Sequence, residues 1–142
     1  MFLGSYISLN GRCAEAIAFY QQVLGAELTY KITFGEMPKE AKNTEGCSGE
    51  TEYADDSIMH ACLRVTGGAL MMTDASMSGE KPQYTGFSLC LVSAHLEEGK
   101  RWFDGLAAGG SVTMPWGETF WAKGYGSLTD KFGIPWMVNV ER

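Results

Sequence analysis

Residues 4–9 read GSYISL and residues 86–91 read GFSLCL, so a short run of alternating apolar and polar positions returns 82 residues later. Alternation of this length is typical of a β-strand that buries one of its faces. A strand-like segment that returns after about half of the chain indicates an internal duplication. The elements that follow each segment therefore decide the fold.

A helical pattern follows each of the two strands. In the first half, apolar side chains recur at steps of three and four between Cys13 and Leu24, and Gly25 stands where a left-handed C-terminal cap belongs. In the second half, the apolar stripe runs from Leu96 to Ala107 and ends before a pair of glycines. We predict one amphipathic helix in each half.

Each half closes with three further strand-like segments. They are residues 28–34, 58–65 and 69–74 in the first half, and residues 111–116, 124–129 and 134–140 in the second. Glycine-containing turns join the last two segments of each half. The order strand, helix, strand, strand, strand therefore occurs twice, which predicts an α+β fold of two βαβββ modules that form a curved mixed sheet, or cup.

We expect one domain over residues 1–142, with module one at 1–74, a linker at 75–85 and module two at 86–142. Module one carries an insertion at 35–57 with seven acidic residues against two lysines. A loop of this length without its own secondary structure is usually functional or mobile. It is interpreted either as a flap over a binding site or as a solvated insertion.

The composition excludes several classes of protein. With 45% hydrophobic and 20% charged residues, the chain fits a soluble globular protein. It lacks an apolar run of the roughly 20 residues that span a membrane, and its first residues do not resemble a signal peptide. A formal charge of −6 disfavours nucleic acid as a partner. We expect a cytoplasmic protein that binds neither nucleic acid nor membrane.

The four cysteines form no CxxC pair, so neither a zinc knuckle nor a thioredoxin-type motif is predicted. Cys13 lies on the predicted helix face, and Cys62 and Cys90 lie in predicted strands. A free cysteine in such places usually acts as a small buried hydrophobe. Only Cys47 is expected to be exposed.

Alternation along the strands assigns side chains to a cavity or to the core. Tyr6 and Asn10 fall on the cavity side of the first strand, whereas Met137 and Asn139 fall on that side of the last strand, with Trp136 in the core. Thioethers and aromatic rings make adaptable apolar pockets. The predicted ligand-binding residues are Tyr6, Asn10, His60, Met72, Asp74, Glu118, Trp121, Tyr125, Met137 and Asn139.

Several separated motifs resemble a known family. The segments SYISLNGRCAEAIAFY, YKITFGEMPKEA, MMTDAS, GETFWAKGYG and TDKFGIPWMVNV are similar to the PhnB-like branch of the glyoxalase/bleomycin-resistance superfamily, also called vicinal oxygen chelate proteins. The resemblance covers essentially the whole chain. It implies paired modules that enclose a cup, usually in a homodimer, with a divalent metal ion in the enzymes. The branch name does not establish a reaction.

The resemblance places metal ligands on the first and last strand of each module, but this sequence departs from that pattern. The corresponding positions hold Gly4 or Ser5 and Gly86 or Phe87 on the first strands. Met72 and Met137 stand where the carboxylates would be, and a thioether is a poor ligand for hard ions. No metal ligand and no cofactor are therefore predicted, although a divalent metal stays possible.

Two functions remain open. The first is a small-molecule-binding protein with a metal-free cup. The alternative is a metal-dependent lyase, isomerase or transferase of the glyoxalase kind, with noncanonical ligands drawn from His60, Asp74 and Glu118. Each of these residues can instead have a purely structural role. His60 would then be a hydrogen-bonded structural histidine, Asp74 a turn-forming residue at a strand end, and Glu118 an exposed hairpin residue. The sequence does not decide whether the protein is an enzyme.

Overall fold

The computed structural model describes residues 3–37, 53–75 and 82–142. The chain forms two compact units, Met1–Pro82 and Gln83–Arg142, and the division falls inside the predicted linker. Residues 76–81 of that linker lie outside the described residues. In the described part of the chain, no helix is both long enough and apolar enough to cross a membrane.

The first unit, called unit one below, is a four-stranded mixed sheet with one helix. Strand β1 pairs in parallel with β4, and β3 pairs antiparallel with both β4 and β2, which gives the order β1-β4-β3-β2. The helix ends at Gly25, whose φ of 66° provides the left-handed cap. The elements are β1 (Ser5–Ser8), α1 (Cys13–Leu24), β2 (Glu27–Thr33), β3 (Ile58–Val65) and β4 (Gly68–Thr73).

The second unit, unit two, repeats this arrangement with the strand order β5-β8-β7-β6. The parallel pair is again formed by the first and last strands, β5 and β8. The predicted α+β fold of two βαβββ modules is confirmed, with a separate four-stranded sheet in each unit. The elements are β5 (Leu89–Ser93), α2 (Leu96–Ala107), β6 (Ser111–Gly117), β7 (Ala122–Thr129) and β8 (Pro135–Glu141).

In unit one, the helix covers one face of the sheet. Alternate residues of neighbouring strands meet there, because Met72 pairs with both Ile7 and Ala61. Burial of each large apolar side chain contributes about 1.5–3 kcal/mol, so this layer supplies much of the stability of the unit. The buried residues of this layer include Ile7, Ala61, Leu63, Leu70 and Met72 from the sheet, and Cys13, Ala16, Ile17 and Tyr20 from α1.

In unit two, two large aromatic rings lie directly on the backbone of β7. Phe103 of α2 rests on Gly126, and the indole of Trp116 lies over Gly124. The two rings contact each other with their centroids 5.3 Å apart. The absence of a side chain at these two glycines therefore creates the space that the rings fill.

Substitution of Gly126 by alanine is expected to destabilise unit two. The new Cβ would lie 2.5 Å from Cε2 of Phe103, a buried ring with little room to move. Overpacking of this kind costs about 1–3 kcal/mol. Urea denaturation should show this loss of stability for Gly126→Ala. Gly117→Ala is the matched control, because a Cβ there meets nothing within 4 Å, and an equal loss in both variants would contradict the packing argument.

Asp130 organises the turn between β7 and β8. Its buried carboxylate accepts hydrogen bonds from the backbone N–H groups of Phe132 and Ile134 at 2.9 and 3.0 Å. Its other oxygen accepts the indole N–H of Trp136 at 2.8 Å. One side chain thus fixes both the turn and the first core residue of β8.

Candidate functional site

Each sheet has a second face, called the open face below, on the side opposite its helix. In unit one, Met71 pairs with Tyr6 on one side and with Cys62 on the other, and Cys62 pairs with Tyr30. These four residues form a row across all four strands. They are half-buried or exposed, so this row is accessible within the unit.

His60 lies beside this row, between two tyrosines. Its ring stacks on Tyr6 with centroids 5.8 Å apart and an interplanar angle of 24°. It also contacts Tyr30 at 5.9 Å, with the rings tilted by 50°. Tyr6 and Tyr30 are 48% and 53% exposed, whereas His60 is half-buried. An imidazole between two partly exposed phenols can hold a small ligand by both stacking and hydrogen bonds.

The open face of unit two carries the corresponding row. Met137 pairs with Cys90 and with Ser127, and the next row contains Asn139 beside Tyr125. The hydroxyl of Tyr125 donates to Sδ of Met137 at 3.8 Å. Thioether, phenol, amide and thiol groups thus lie side by side on this face. Partial desolvation raises the pKa of the Cys90 thiol above its ordinary value, although the residue is exposed in part.

Aromatic contacts continue from this face toward the β6–β7 loop. Trp121 meets Tyr125 edge-on at 5.4 Å, and Phe120 meets Trp121 edge-on at 4.9 Å. Phe120 is 89% exposed at the tip. The loop is held by Arg142, which donates to Oε1 of Glu118 at 2.5 Å and to the carbonyl of Thr119 at 2.7 Å. Trp121 and Tyr125, both predicted to bind ligand, therefore contact each other.

Met72 does not lie where the sequence analysis placed it. It is completely buried on the helix-covered face, and its neighbour Met71 occupies the open face. The error comes from the turns, because Thr66 and Gly67 alone separate the paired Val65 and Gly68, whereas residues 130–134 separate Thr129 from Pro135. Counting from the hairpin glycines therefore misaligned the units by one residue. Met71, not Met72, is equivalent to Met137.

Asn10 also differs from its predicted place. Strand β1 ends at Ser8, so the alternation of the strand does not extend to residue 10. Asn10 and Gly11 both adopt positive φ, 48° and 93°, in the turn before α1. Asparagine tolerates this conformation better than most residues because its short side chain bonds locally. Its place in the structure is that of an exposed turn residue.

Asp74 is tied to the backbone. Its buried carboxylate accepts hydrogen bonds from the N–H groups of Cys13 at 2.9 Å and of Ile58 at 2.8 Å. It thereby joins the end of β4 to the start of α1 and the start of β3. Burial, together with the charge of Asp74, raises the pKa of the Cys13 thiol far above its ordinary value. Asp74 is a structural link between three elements, with both oxygens occupied.

Two of the three residues considered as noncanonical metal ligands have other partners within their own units. The carboxylate of Asp74 accepts two backbone N–H groups in unit one, and Glu118 is paired with Arg142 in unit two. Among the described residues, no group of three histidine, cysteine, aspartate or glutamate side chains could hold a metal ion. The open-face positions of the central strands carry Met71 and Met137, which do not suit a hard divalent ion.

The ends of the acidic insertion meet at the edge of unit one. Phe34 stacks on Tyr53 with centroids 4.5 Å apart, and the N–H groups of Phe34 and Gly35 donate to the carbonyls of Ser57 and Asp55. Gly35 has no room for a Cβ, which would lie 2.9 Å from Asp55. The hypothesis that the insertion is a flap rests on residues 38–52, which lie outside the described residues, as does Cys47.

The structure adds residues that the sequence analysis did not select. Tyr30 and Met71 belong to the open face of unit one, and Cys90, predicted to be buried, is exposed on that of unit two. A β-bulge between Leu28 and Tyr30 breaks the alternation that would have identified Tyr30. Pairing of Cys90 with Met137 would have identified it once the register was known.

A separate groove of about 840 Å³ lies on the outer side of α2. Its side chains are mainly charged, and Lys100 and Asp104 form an ion pair at 2.8 Å. Such i, i+4 pairs are ordinary features of a solvated helix. We therefore place the candidate site on the open faces. The groove is lined by Leu96, Glu97, Lys100, Arg101, Asp104, Gly105 and Trp116.

Comparison with known families agrees with this arrangement of two similar units. The sequence profile of the Glyoxalase/Bleomycin resistance protein/Dioxygenase superfamily matches residues 4–138. The chain belongs to this superfamily. The predicted membership in this superfamily is thereby confirmed.

Three known proteins are similar to this chain over almost its whole length. Protein YjdN of Escherichia coli (strain K12) is 55% identical over 141 residues, which cover 99% of this chain and 95% of YjdN. Protein PA1353 from Pseudomonas aeruginosa is 39% identical, with 99% and 98% of the two chains covered and a TM-score of 0.82. A PhnB protein from Bacillus cereus, described as a putative 3-demethylubiquinone-9 3-methyltransferase, is 23% identical, with 99% of each chain covered and a TM-score of 0.76. At that identity the last comparison shows the shared fold.

Proposed function

We propose that this protein binds a small molecule on the open faces of its sheets. The observation that carries the proposal is that the face opposite each helix bears a row of half-buried or exposed aromatic, thioether and hydroxyl groups. In unit one the row is centred on Met71 and in unit two on Met137. Apolar surfaces with a few polar groups are the usual lining of small-molecule sites.

The donor set further supports binding without a metal ion. Met71 and Met137 occupy the centres of the two rows, and their neighbours on the first strands are Tyr6 and Cys90. Hard and borderline divalent ions prefer carboxylates and imidazoles in an octahedral arrangement. His60 is the imidazole of these faces, and stacking on Tyr6 holds it. We propose a metal-free site.

A thermal-shift screen tests the binding proposal. The probes are a phosphonate, an α-keto aldehyde, a quinone and an aromatic antibiotic. A probe at a hundred times its dissociation constant should stabilise the protein by about 2.7 kcal/mol, which raises Tm by several degrees. Met71→Lys should abolish the rise for a probe that binds unit one, and Met137→Lys should abolish it for a probe that binds unit two, because each places a charge on the open face of its own unit. Ala18→Lys adds the same side chain on the exposed side of α1 and should keep the rise.

Two outcomes would count against binding on the open faces. One is a rise that persists in both Met137→Lys and Met71→Lys. The other is a screen in which all four probes leave Tm unchanged at saturating concentration. Either result would show that this protein has the fold of the superfamily without the binding function proposed here.

Metal analysis tests the metal-free part of the proposal. Protein purified without chelator is expected to contain far less than one equivalent of zinc, nickel or manganese, and added ions should leave Tm unchanged. Stoichiometric metal that is lost in the His60→Ala, Glu118→Ala double variant would instead support a metal-dependent enzyme. We also propose, by family analogy, a homodimer in the cytoplasm.

A further inference from the structure

We propose that the open face of unit one holds an oxyanion, such as the carboxylate of an acidic ligand, at His60 between Tyr6 and Tyr30. This inference rests on the proposed function and names the chemical class of the ligand. The ligand would combine a flat apolar part, which packs against the phenol rings, with one acidic group. Three observations on the described residues support it.

The first observation is the hydrogen bonding of His60. Its ring faces are used by Tyr6, which stacks at 5.8 Å, and by the tilted ring of Tyr30 at 5.9 Å. Both ring nitrogens lie at the ring edge, and the described part of the chain offers neither of them a hydrogen-bond partner. A half-buried imidazole whose nitrogens lack a hydrogen-bond partner can form a hydrogen bond with a ligand.

The second observation is the chemistry of the surrounding groups. The hydroxyls of Tyr6 and Tyr30 and the ring of His60 can all donate hydrogen bonds. An oxyanion accepts several such bonds at once, and bonds to a charged acceptor are shorter and stronger than bonds between neutral groups. Met71 and Cys62 lie between the two tyrosines and provide an apolar floor.

The third observation is the distribution of charge. The chain has 17 acidic and 11 basic residues, yet the one carboxylate that the described strands present on this face is Glu27. Glu27 is paired with Arg64 at 3.5 Å. An unpaired acid close to His60 would compete with an acidic ligand, and the four strands carry none. The titratable side chains that share this face with His60 are Tyr6, Tyr30, Cys62, Arg64 and Glu27.

These observations imply that binding depends on the acidic group of the ligand. An ionised acidic group gains charge-assisted hydrogen bonds from the imidazole and the two phenols. A neutral ligand with the same ring forms weaker hydrogen bonds and should therefore bind less tightly.

Benzoate, benzyl alcohol and benzyltrimethylammonium test the inference because they share a ring and differ in charge. The protein has two histidines, so in the full-length His95→Gln variant the remaining imidazole resonances belong to His60. We expect benzoate to shift these resonances and to bind about tenfold more tightly than benzyl alcohol at the same pH. His60→Gln should remove most of this preference for benzoate.

Three results would overturn the inference. If benzyl alcohol binds as tightly as benzoate, the face binds aromatic rings without selecting an acid, and the proposed function still stands. If benzyltrimethylammonium binds best, the tyrosines form a site for cations. If none of the three probes shifts the His60 resonances, this face does not bind such ligands, and the screen described above decides the proposed function independently.

Discussion

Replacement of Asp74 by alanine should reduce the free energy of unfolding by about 4 kcal/mol, because two buried N–H groups lose their acceptor and each unsatisfied group costs about 1–3 kcal/mol. Those groups belong to Cys13 and Ile58, which begin α1 and β3. The loss would therefore loosen both elements from the end of β4. Urea denaturation monitored by circular dichroism measures the change.

Two further variants show whether the cause is the carboxylate. Asp74→Asn retains one acceptor oxygen but turns an amide N–H₂ toward the second donor. Its loss in the free energy of unfolding should therefore approach that of Asp74→Ala. Glu118→Ala removes an exposed carboxylate whose ion pair with Arg142 is worth at most about 1 kcal/mol. Equal stability of Asp74→Ala and Glu118→Ala would show that Asp74 is not the link described here.

Replacement of Asp130 by alanine should have a comparable effect on unit two. Three donors lose their acceptor, namely the N–H groups of Phe132 and Ile134 and the indole N–H of Trp136. Since Trp136 is a buried core residue of β8, the turn and the core are affected together. We expect a loss of about 4–6 kcal/mol in the free energy of unfolding and a red shift of the tryptophan fluorescence of the folded protein.

The contributions of the turn and of the indole can be separated. Asp130→Asn keeps the oxygen that accepts both backbone N–H groups and should cost about half as much as alanine. Trp136→Phe removes the indole donor and leaves the turn bonds in place. If Asp130→Asn were as unstable as Asp130→Ala, the bond to Trp136 would dominate, which would contradict a shared role.

Much of the fold could be predicted because periodicity reports directly on secondary structure. The apolar steps of three and four between Cys13 and Leu24 coincide with α1, and Gly25 caps it as expected. The pairing register of the strands was harder to predict, since it depends on the length of the turns. The second module begins its strand at Leu89 rather than near Gly86, whose φ of 80° does not fit a strand. The sequence alone does not show which glycines adopt a left-handed backbone conformation.

The candidate site was only partly predictable for the same reason. Tyr6, Tyr125, Met137 and Asn139 lie on the open faces because their strands alternate without interruption. Met72 was misplaced by the difference between the two turns. Asp74 and Glu118 look alike in sequence, but one is buried under backbone N–H groups and the other is exposed. Burial of a single acid depends on distant segments, which spacing along the chain does not reveal.

The accessibility of the methionine methyl groups tests the central claim most directly. Protein labelled with ¹³C at the methionine methyls would be mixed with a small soluble nitroxide, and each signal assigned by a Met→Leu variant. If the open faces admit small molecules, the signals of Met71 and Met137 broaden strongly while that of the buried Met72 stays sharp. Signals of Met71 and Met137 that are as protected as that of Met72 would contradict the account.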